Sequence, residues 1–250
     1  MDLYLKGKTA IVTGASQGIG RAITQELATE GVKVLAVARN EDLLNSLKEE
    51  VIAAGGVEPI LLVQDFVAPD APEKIATAAL SSLGQVDILI NNAGRSRPLD
   101  VVGPDDEWSA AMTLDFDRHR QLTQQLLPHM IERKQGAILN ISSSYELREV
   151  NASAVVKAAG VVWAKQLAAQ LGKHGIRVNS LQPGLIDTNN IRRFFPGEER
   201  SKFVAQAIPL GDFGEPQDMA NMAVFLVSPR ARYITGTVAT VDGGLRHHPF

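Results

Sequence analysis

The sequence has no cysteine, so disulfides and thiolate metal sites are excluded at the start. A chain without thiols fits a reducing compartment. It has little charge imbalance: the formal net charge is −3 at pH 7, which gives no global pull toward nucleic acid or an anionic membrane. It has no apolar run of the roughly 18 residues that span a bilayer. It also lacks a basic-then-apolar opening, since Lys6 and Lys8 follow Met1-Asp2-Leu3-Tyr4 almost at once. The expectation is a cytoplasmic protein with neither membrane nor nucleic acid as partner. What remains is ordinary: 45% hydrophobic and 21% charged residues over 250 positions, enough to bury a large core in one domain or two.

Short apolar runs alternate with amphipathic stretches. Thr9-Ala10-Ile11-Val12 ends at Gly14, and Ile19, Ala22, Ile23, Leu27 and Ala28 follow at helical spacing. The run 32–38 is β-branched and apolar on both faces, as a parallel strand covered on both sides requires. The alternation continues with a helix over 41–54, a strand at 60–63, a helix over 71–83 and a strand at 87–90. A long helical stretch at about 105–133 precedes a strand at 137–141, and a small-residue helix at about 154–173 precedes a strand at 177–181. Helix 215–227 and strand 238–241 close the series.

Seven strands alternating with six helices predict an α/β fold, a Rossmann-type doubly wound parallel sheet with helices on both faces. No linker, repeat or low-complexity tract divides the chain, so 1–250 reads as a single domain. The least regular stretch is 184–212, which holds Pro196 and Pro209. A long irregular segment in a compact domain is often a lid or a binding loop.

Thr13-Gly14-Ala15-Ser16-Gln17-Gly18-Ile19-Gly20 lies between the first strand and the first helix. Glycines there allow a tight turn and a close backbone approach to a pyrophosphate, and the helix N-terminus offers unpaired N–H groups. Gly14, Ser16, Gln17, Gly18, Ile19 and Gly20 are therefore candidate dinucleotide-binding residues. The end of the second strand separates NAD from NADP. It reads Val37-Ala38-Arg39-Asn40, with no carboxylate for a ribose 2′-OH and with Arg39 placed for a 2′-phosphate. NADP is favoured over NAD. Asp65 and its neighbour Phe66, at the end of the third strand, are candidates for the adenine end. Asp65 is equally placed to cap the helix at 71–83 or to face water.

These motifs, with others further on, resemble the short-chain dehydrogenase/reductase family over nearly the whole chain. Thr13 to Gly20 matches the family's TGxxxGxG turn. Asn91-Asn92-Ala93-Gly94 matches its NNAG motif, which implies Asn92, Ala93 and Gly94 beside the adenine ribose. Pro183-Gly184, with Ile186 and Thr188 after it, resembles the PG motif that passes the nicotinamide amide. Val241-Asp242-Gly243-Gly244 resembles the C-terminal VDGG. The resemblance implies a nicotinamide-dependent oxidoreductase acting on a small molecule, assembled as a homotetramer or homodimer. It implies that the helices near 105–133 and 154–173, with the C-terminal segment, form the interfaces; the small-residue face Ala154, Ala158, Ala164, Ala168 would permit close helix packing there, or equally meets the chain's own sheet.

The resemblance breaks at the catalytic set. The family uses an asparagine, a serine, a tyrosine and a lysine. By position Ser143 matches the serine that polarises the carbonyl, and Lys157 matches the lysine that holds the nicotinamide ribose. The tyrosine position is Ser153 and the asparagine position is Asp115. The segment between Ser143 and Ser153 is also about three residues shorter than the family's. A phenol has a reference pKa of about 10 that a nearby cation lowers, whereas an aliphatic hydroxyl is far less acidic and reaches less far. General acid–base help is worth about 10²–10⁴ in rate, so this loss matters. Two replacements present themselves: Tyr145, two residues beyond Ser143, and Asp115, acting directly or by tuning Lys157.

The loops that would surround a substrate carry Arg95, Arg97, Arg148, Arg192 and Arg193, followed by Phe194 and Phe195. Arginine forks suit carboxylates and phosphates. An anionic substrate with an apolar part is one expectation; arginines solvated or paired with Glu146, Glu149, Glu198 and Glu199 is the other. Asp115 and His119 share a helix face, yet two ligands on one helix make a weak metal site, and none is expected. Three functions compete: an NADP(H)-dependent reductase with an unusual proton donor; a lyase, hydrolase or isomerase on the same scaffold; and a dinucleotide-binding protein with impaired turnover.

Overall fold

The computed structural model describes residues 2–144, 149–194 and 198–247. Seven parallel strands form one sheet in the order β3-β2-β1-β4-β5-β6-β7. They are β1 (Thr9–Thr13), β2 (Lys33–Ala38), β3 (Ile60–Val63), β4 (Ile88–Asn91), β5 (Gly136–Ile141), β6 (Ile176–Pro183) and β7 (Val238–Val241). The strand order reverses between β1 and β4. That switch point opens a crevice beyond the C-terminal strand ends, where open α/β sheets bind ligands.

Successive strand residues point to opposite faces, and each face builds its own core. Ala10 and Val12 of β1 pack with α1 (Gly18–Thr29), α2 (Glu41–Ala53) and α9 (Pro216–Val227). Ile11, between them, packs with α3 (Ala71–Leu83), α5 (Arg118–Arg133) and α6 (Ala152–Leu171). The central strands are fully buried, which explains their near-continuous apolar runs.

Two elements differ from the sequence expectation, and for a third the structure selects one of two alternatives. The stretch 105–133 is not one regular helix. It consists of α4 (Asp105–Met112), a π-helical turn (Thr113–Asp117) and α5. Segment 184–212 is less irregular than its composition suggests. It contains α7 (Asn189–Phe194) and α8 (Glu198–Ala207), held by a small core of Val204, Ile208 and Phe213. Finally, the small-residue face of α6 is not an open surface. Ala164 and Ala168 are buried against Ile138 and Val178 of the chain's own sheet, because small side chains let the helix lie close to it. The exposed stripe of α6 carries Val155, Ala159, Val162 and Gln166 instead.

Two polar anchors sit below and beside the sheet. Arg177 reaches the carbonyls of Leu226 (2.6 Å), Ser228 (3.0 Å) and Ile234 (3.2 Å), capping the C-terminal end of α9. Asp87 accepts from Thr9 and Arg133 beneath the N-terminal strand ends, away from the crevice.

Candidate active site

The Gly-rich turn is shaped by its neighbours. Gly14 and Gly18 have φ of +67° and +54°, the left-handed region that favours glycine. A Cβ on Gly20 would stand 2.3 Å from both Asn92 Nδ2 and Gly14 O, so only glycine fits. Asn92 donates from Nδ2 to Thr13 O (2.9 Å) and Gly14 O (3.2 Å), and Thr13 Oγ1 accepts from the backbone N–H of Asn92 and Ala93. Arg21 donates to Ser16 O and Leu43 O, tying the turn to α2.

The two neighbouring helix starts differ in a way that matters. α2 is capped by Asn40 and begins with Glu41 and Asp42. α1 has no side-chain cap at Gln17 and no acidic residue in its first turn. Its N–H groups and the positive end of its dipole are thus left for an external anion, as a pyrophosphate requires. These residues fit a dinucleotide.

Other cofactor candidates fall around this turn with different roles. Arg39 is exposed at the end of β2 and makes no hydrogen bond or ion pair among the described residues. Asp65 is exposed and accepts from Val67 N, so it closes its own turn; the cap of α3 is Asp70. Phe66 is buried with its ring 4.8 Å from that of His119, so its side chain belongs to the core. Thr188 lies over the turn, its Cγ2 3.2 Å from where a Gly18 Cβ would be. Ile186 is buried and bridges to Gly214, fixing the base of the α7–α8 segment. Gly184 packs so tightly on Asp242 that a Cβ would meet it at 2.6 Å. Pro183 ends β6 in register with Val241, and Gly184 N donates to Val241 O. Gln182 joins the two motifs, donating to Ser143 O and accepting from Thr240 and Arg246.

The catalytic positions converge beside Gly94. Ser153 Oγ donates to Asp115 Oδ2 at 2.8 Å, so the two residues that the sequence resemblance aligns with the family's tyrosine and asparagine are bonded to each other. Ser153 and the Asp115 side chain are buried. A Cβ on Gly94 would lie 2.6 Å from Asp115 Oδ1 and 3.1 Å from Lys157 Nζ, which brings these groups to the same small space. Burial pushes the Asp115 carboxyl above the usual carboxylate range, against the opposing pulls of Lys157, Ser153 and Arg97. Burial pushes Lys157 below the usual ammonium range, and Asp115 holds back part of that fall. Water is a better home for either charge alone, and a strained buried pair of this kind marks functional sites more often than stable cores.

Asp115 and Lys157 share a small cavity of about 20 Å³ with His119, Asn91 and Asn140, and Phe116, Val161 and Trp163 make the rest of its lining largely apolar. His119 Nε2 lies 2.7 Å from Ala93 O and Nδ1 lies 3.2 Å from Asn91 Oδ1, so both ring nitrogens face acceptor oxygens. Burial lowers its pKa to about 4, so it is neutral at ordinary pH. Asn91 also donates to Asn140 and Thr123. Sequence reasoning found His119 only as a doubtful metal ligand and missed Asn140 and Thr123. Their signal is faint: single polar residues in otherwise apolar strand and helix patterns.

Of the two arginine expectations, pairing holds for Arg97 and Arg192, with Glu107, Asp115 and Asp187 as partners rather than the glutamates named from the sequence. Arg97 is buried and engaged with Glu107 at 3.2 Å and with Asp115 at 3.5 Å. Arg192 is bonded to Asp187 at 2.7 Å. Both guanidiniums are neutralised by carboxylates of the chain itself. Arg95 is more open, with Glu107 at 3.8 Å. Tyr145, Glu146, Arg148, Phe195 and Pro196 lie outside the described residues. Of the described tyrosines, Tyr4 stacks with Arg230 and Tyr233 is 95% exposed, so neither phenol joins Lys157.

A parallel sheet whose switch point opens on an uncapped, Gly-shaped helix start defines a dinucleotide-binding α/β protein. A family model described as Enoyl-(Acyl carrier protein) reductase matches residues 14–246. The 3-oxoacyl-acyl-carrier-protein reductase FabG of Thermotoga maritima is 34% identical over 97% of this chain and 99% of its own length. The 7alpha-hydroxysteroid dehydrogenase of Escherichia coli K12 is 35% identical over 97% of this chain and 96% of its own. Among solved structures, a 7alpha-hydroxysteroid dehydrogenase complexed with NADH and 7-oxo glycochenodeoxycholic acid superposes with a TM-score of 0.92 at 35% identity, covering 99% of this chain and 97% of that one. The L-sorbose reductase of Gluconobacter frateurii, complexed with NADPH and L-sorbose, gives 0.93 at 32% identity, covering 99% of this chain and all 100% of that one. The chain belongs to the short-chain dehydrogenase/reductase family of oxidoreductases. Among the described residues no helix is long and apolar enough to cross a membrane.

Proposed function

We propose that this protein moves hydride between NADP(H) and a small carbonyl or alcohol substrate, with Ser153, Asp115 and Lys157 handling the proton that a tyrosine handles in its relatives. The carrying observation is the 2.8 Å bond from Ser153 Oγ to Asp115 Oδ2 beside Lys157. The bound dinucleotide supplies or accepts the hydride. In reduction, with the Asp115 carboxyl protonated, the direction of that bond reverses: Asp115 donates to Ser153 Oγ, and Ser153 gives its own proton to the substrate oxygen as it takes the one from Asp115. A carboxyl held above its usual range keeps that proton at higher pH than a free aspartate does. Ser143 polarises the carbonyl, and Lys157 holds the ribose hydroxyls.

Arg39 supports NADP over NAD, because its exposed guanidinium ends the strand where a carboxylate would select the 2′-OH. Arg95 is the described arginine most open to an anionic substrate group. The exposed α6 stripe with Val155 and Val162 supports assembly into a homodimer or homotetramer.

The test is NADPH oxidation across a carbonyl panel that pairs neutral ketones with oxo acids. Ser153→Ala and Asp115→Asn should each lower turnover about 10²-fold or more. Ser153→Tyr combined with Asp115→Asn, which restores the family's residues, should retain or raise it. Full turnover in Asp115→Asn removes the relay, and loss of turnover in Tyr145→Phe transfers the role to that phenol. A second reading, a dinucleotide-binding protein with impaired turnover, draws on Ser153 being only 2% exposed and turned toward Asp115. Tight NADPH binding without oxidation of any panel member favours that reading.

A further inference from the structure

Arg97 stands on the loop that follows β4, where the backbone is held from both sides. Arg97 O accepts from Ala152 N, Leu99 N donates to Val150 O, and Pro98 bridges to Asn151. Asn151 in turn caps α6, the helix that carries Ser153 and Lys157. The guanidinium is thereby delivered to Asp115 by the same backbone contacts that place Ser153. Its Nε donates to Glu107 Oε2 at 3.2 Å, and its Nη1 lies 3.5 Å from Asp115 Oδ2. Arg97 is 7% exposed, and Nη1 is buried without a hydrogen-bond partner among the described residues, as is Asp115 Oδ1.

A buried guanidinium placed only for packing has its N–H groups satisfied by good acceptors. Here Nε is bonded to Glu107 of α4, while Nη1 forgoes a hydrogen bond to stand at ion-pair distance from the carboxylate that bonds Ser153. We propose that Arg97 is a positioning residue: clamped by Glu107, it holds the Asp115 carboxyl against Ser153 and sets how tightly that carboxyl keeps its proton. This rests on the reading of Asp115 as the proton donor. The groups facing Asp115 are Lys157 and Ser153 from α6, Arg97 and the Arg95 backbone from the loop after β4, Glu107 of α4 through Arg97, and His119 one turn along. Arg97 is the cation among them whose removal leaves the ribose-binding lysine in place.

The experiment follows the carboxyl directly. Aspartate labelled with ¹³C at the carboxyl carbon is incorporated into the full chain, and Asp115→Asn identifies the Asp115 resonance. In Arg97→Gln, or in Arg97→Met where the apolar stem keeps the packing, the Asp115 midpoint should rise by about one unit. Arg97→Lys should return it toward the wild-type value. An unmoved midpoint with reduced thermal stability overturns the proposal, because that is what a purely structural arginine gives. Where both neutral variants fail to fold, Arg97→Met combined with Asp115→Asn decides. Recovery of folded protein supports the pairing, and continued failure overturns it. The alkaline limb of NADPH oxidation should move with the midpoint. A midpoint that moves while the limb stays fixed upholds Arg97 and removes Asp115 as the acid.

Discussion

At the scale of single residues, the proposed relay divides among several small groups what one large polar group does alone. A tyrosine joins acidity and reach in one side chain. In the proposal Ser153 has the position, Asp115 the acidity and Lys157 the charge. Asp115 and Ser153 were candidates from the sequence; the bond between them was not legible, because nothing in the spacing shows that residues on two different helices meet. Arg97 was legible as a loop cation, but its carboxylate partners decided its role, and partners are a property of the fold. His119 offers a test that needs no substrate. Its unfolded-state pKa is near 6.5, and in the folded protein it falls to about 4. Between those values the unfolded chain binds a proton that the folded chain refuses, so stability is lost as pH falls through this window. The loss should total about 3 kcal/mol. In His119→Gln, denaturant titrations from pH 7 to pH 4 should show that part of the slope removed.

At the scale of elements, the strands were legible because burial on both faces leaves near-continuous apolar runs, as in the fully buried β1. Helices α7 and α8 were not, because their sequences are dominated by arginine and glutamate, and their small core borrows Phe213 and Leu185 from outside the helices. The end of α9 also depends on a distant residue, since Arg177 of β6 supplies donors to its last carbonyls. Arg177→Met keeps the stem and removes the fork. It should cost about 2 kcal/mol in urea unfolding, through carbonyls left without partners. A change within a few tenths of a kcal/mol would show that water replaces the guanidinium there.

At the scale of the whole molecule, the doubly wound parallel sheet and the Gly-rich turn were readable in advance, the strand order was not, and together they mark a cofactor site more firmly than a chemistry. Binding should therefore survive changes that abolish turnover. NADPH at about 100 times its Kd should stabilise the folded chain by about 2.7 kcal/mol. For a chain of this size that is a rise in Tm of roughly 5–10 °C. The rise should persist in Ser153→Ala and shrink in Arg39→Ala, and NADH should give less. Equal shifts with NADH and NADPH would remove the NADP preference. Assembly is testable at the same scale: Val162→Arg, on the exposed face of α6, should reduce the mass measured by light scattering if that face joins two copies.

The π-helical turn at Thr113–Asp117 has a consequence for how this chain can change over generations. Such a turn carries one residue more than an α-helical turn of the same span. Deleting one codon within it would return the turn to ordinary α-helical geometry and leave the residues beyond it in register. His119, Leu122, Leu126 and Met130 would keep their buried face. Asp115 therefore stands in a turn that can lose a residue without unpacking the helix that follows it. A deletion there would take away or displace the buried carboxyl and leave the scaffold standing.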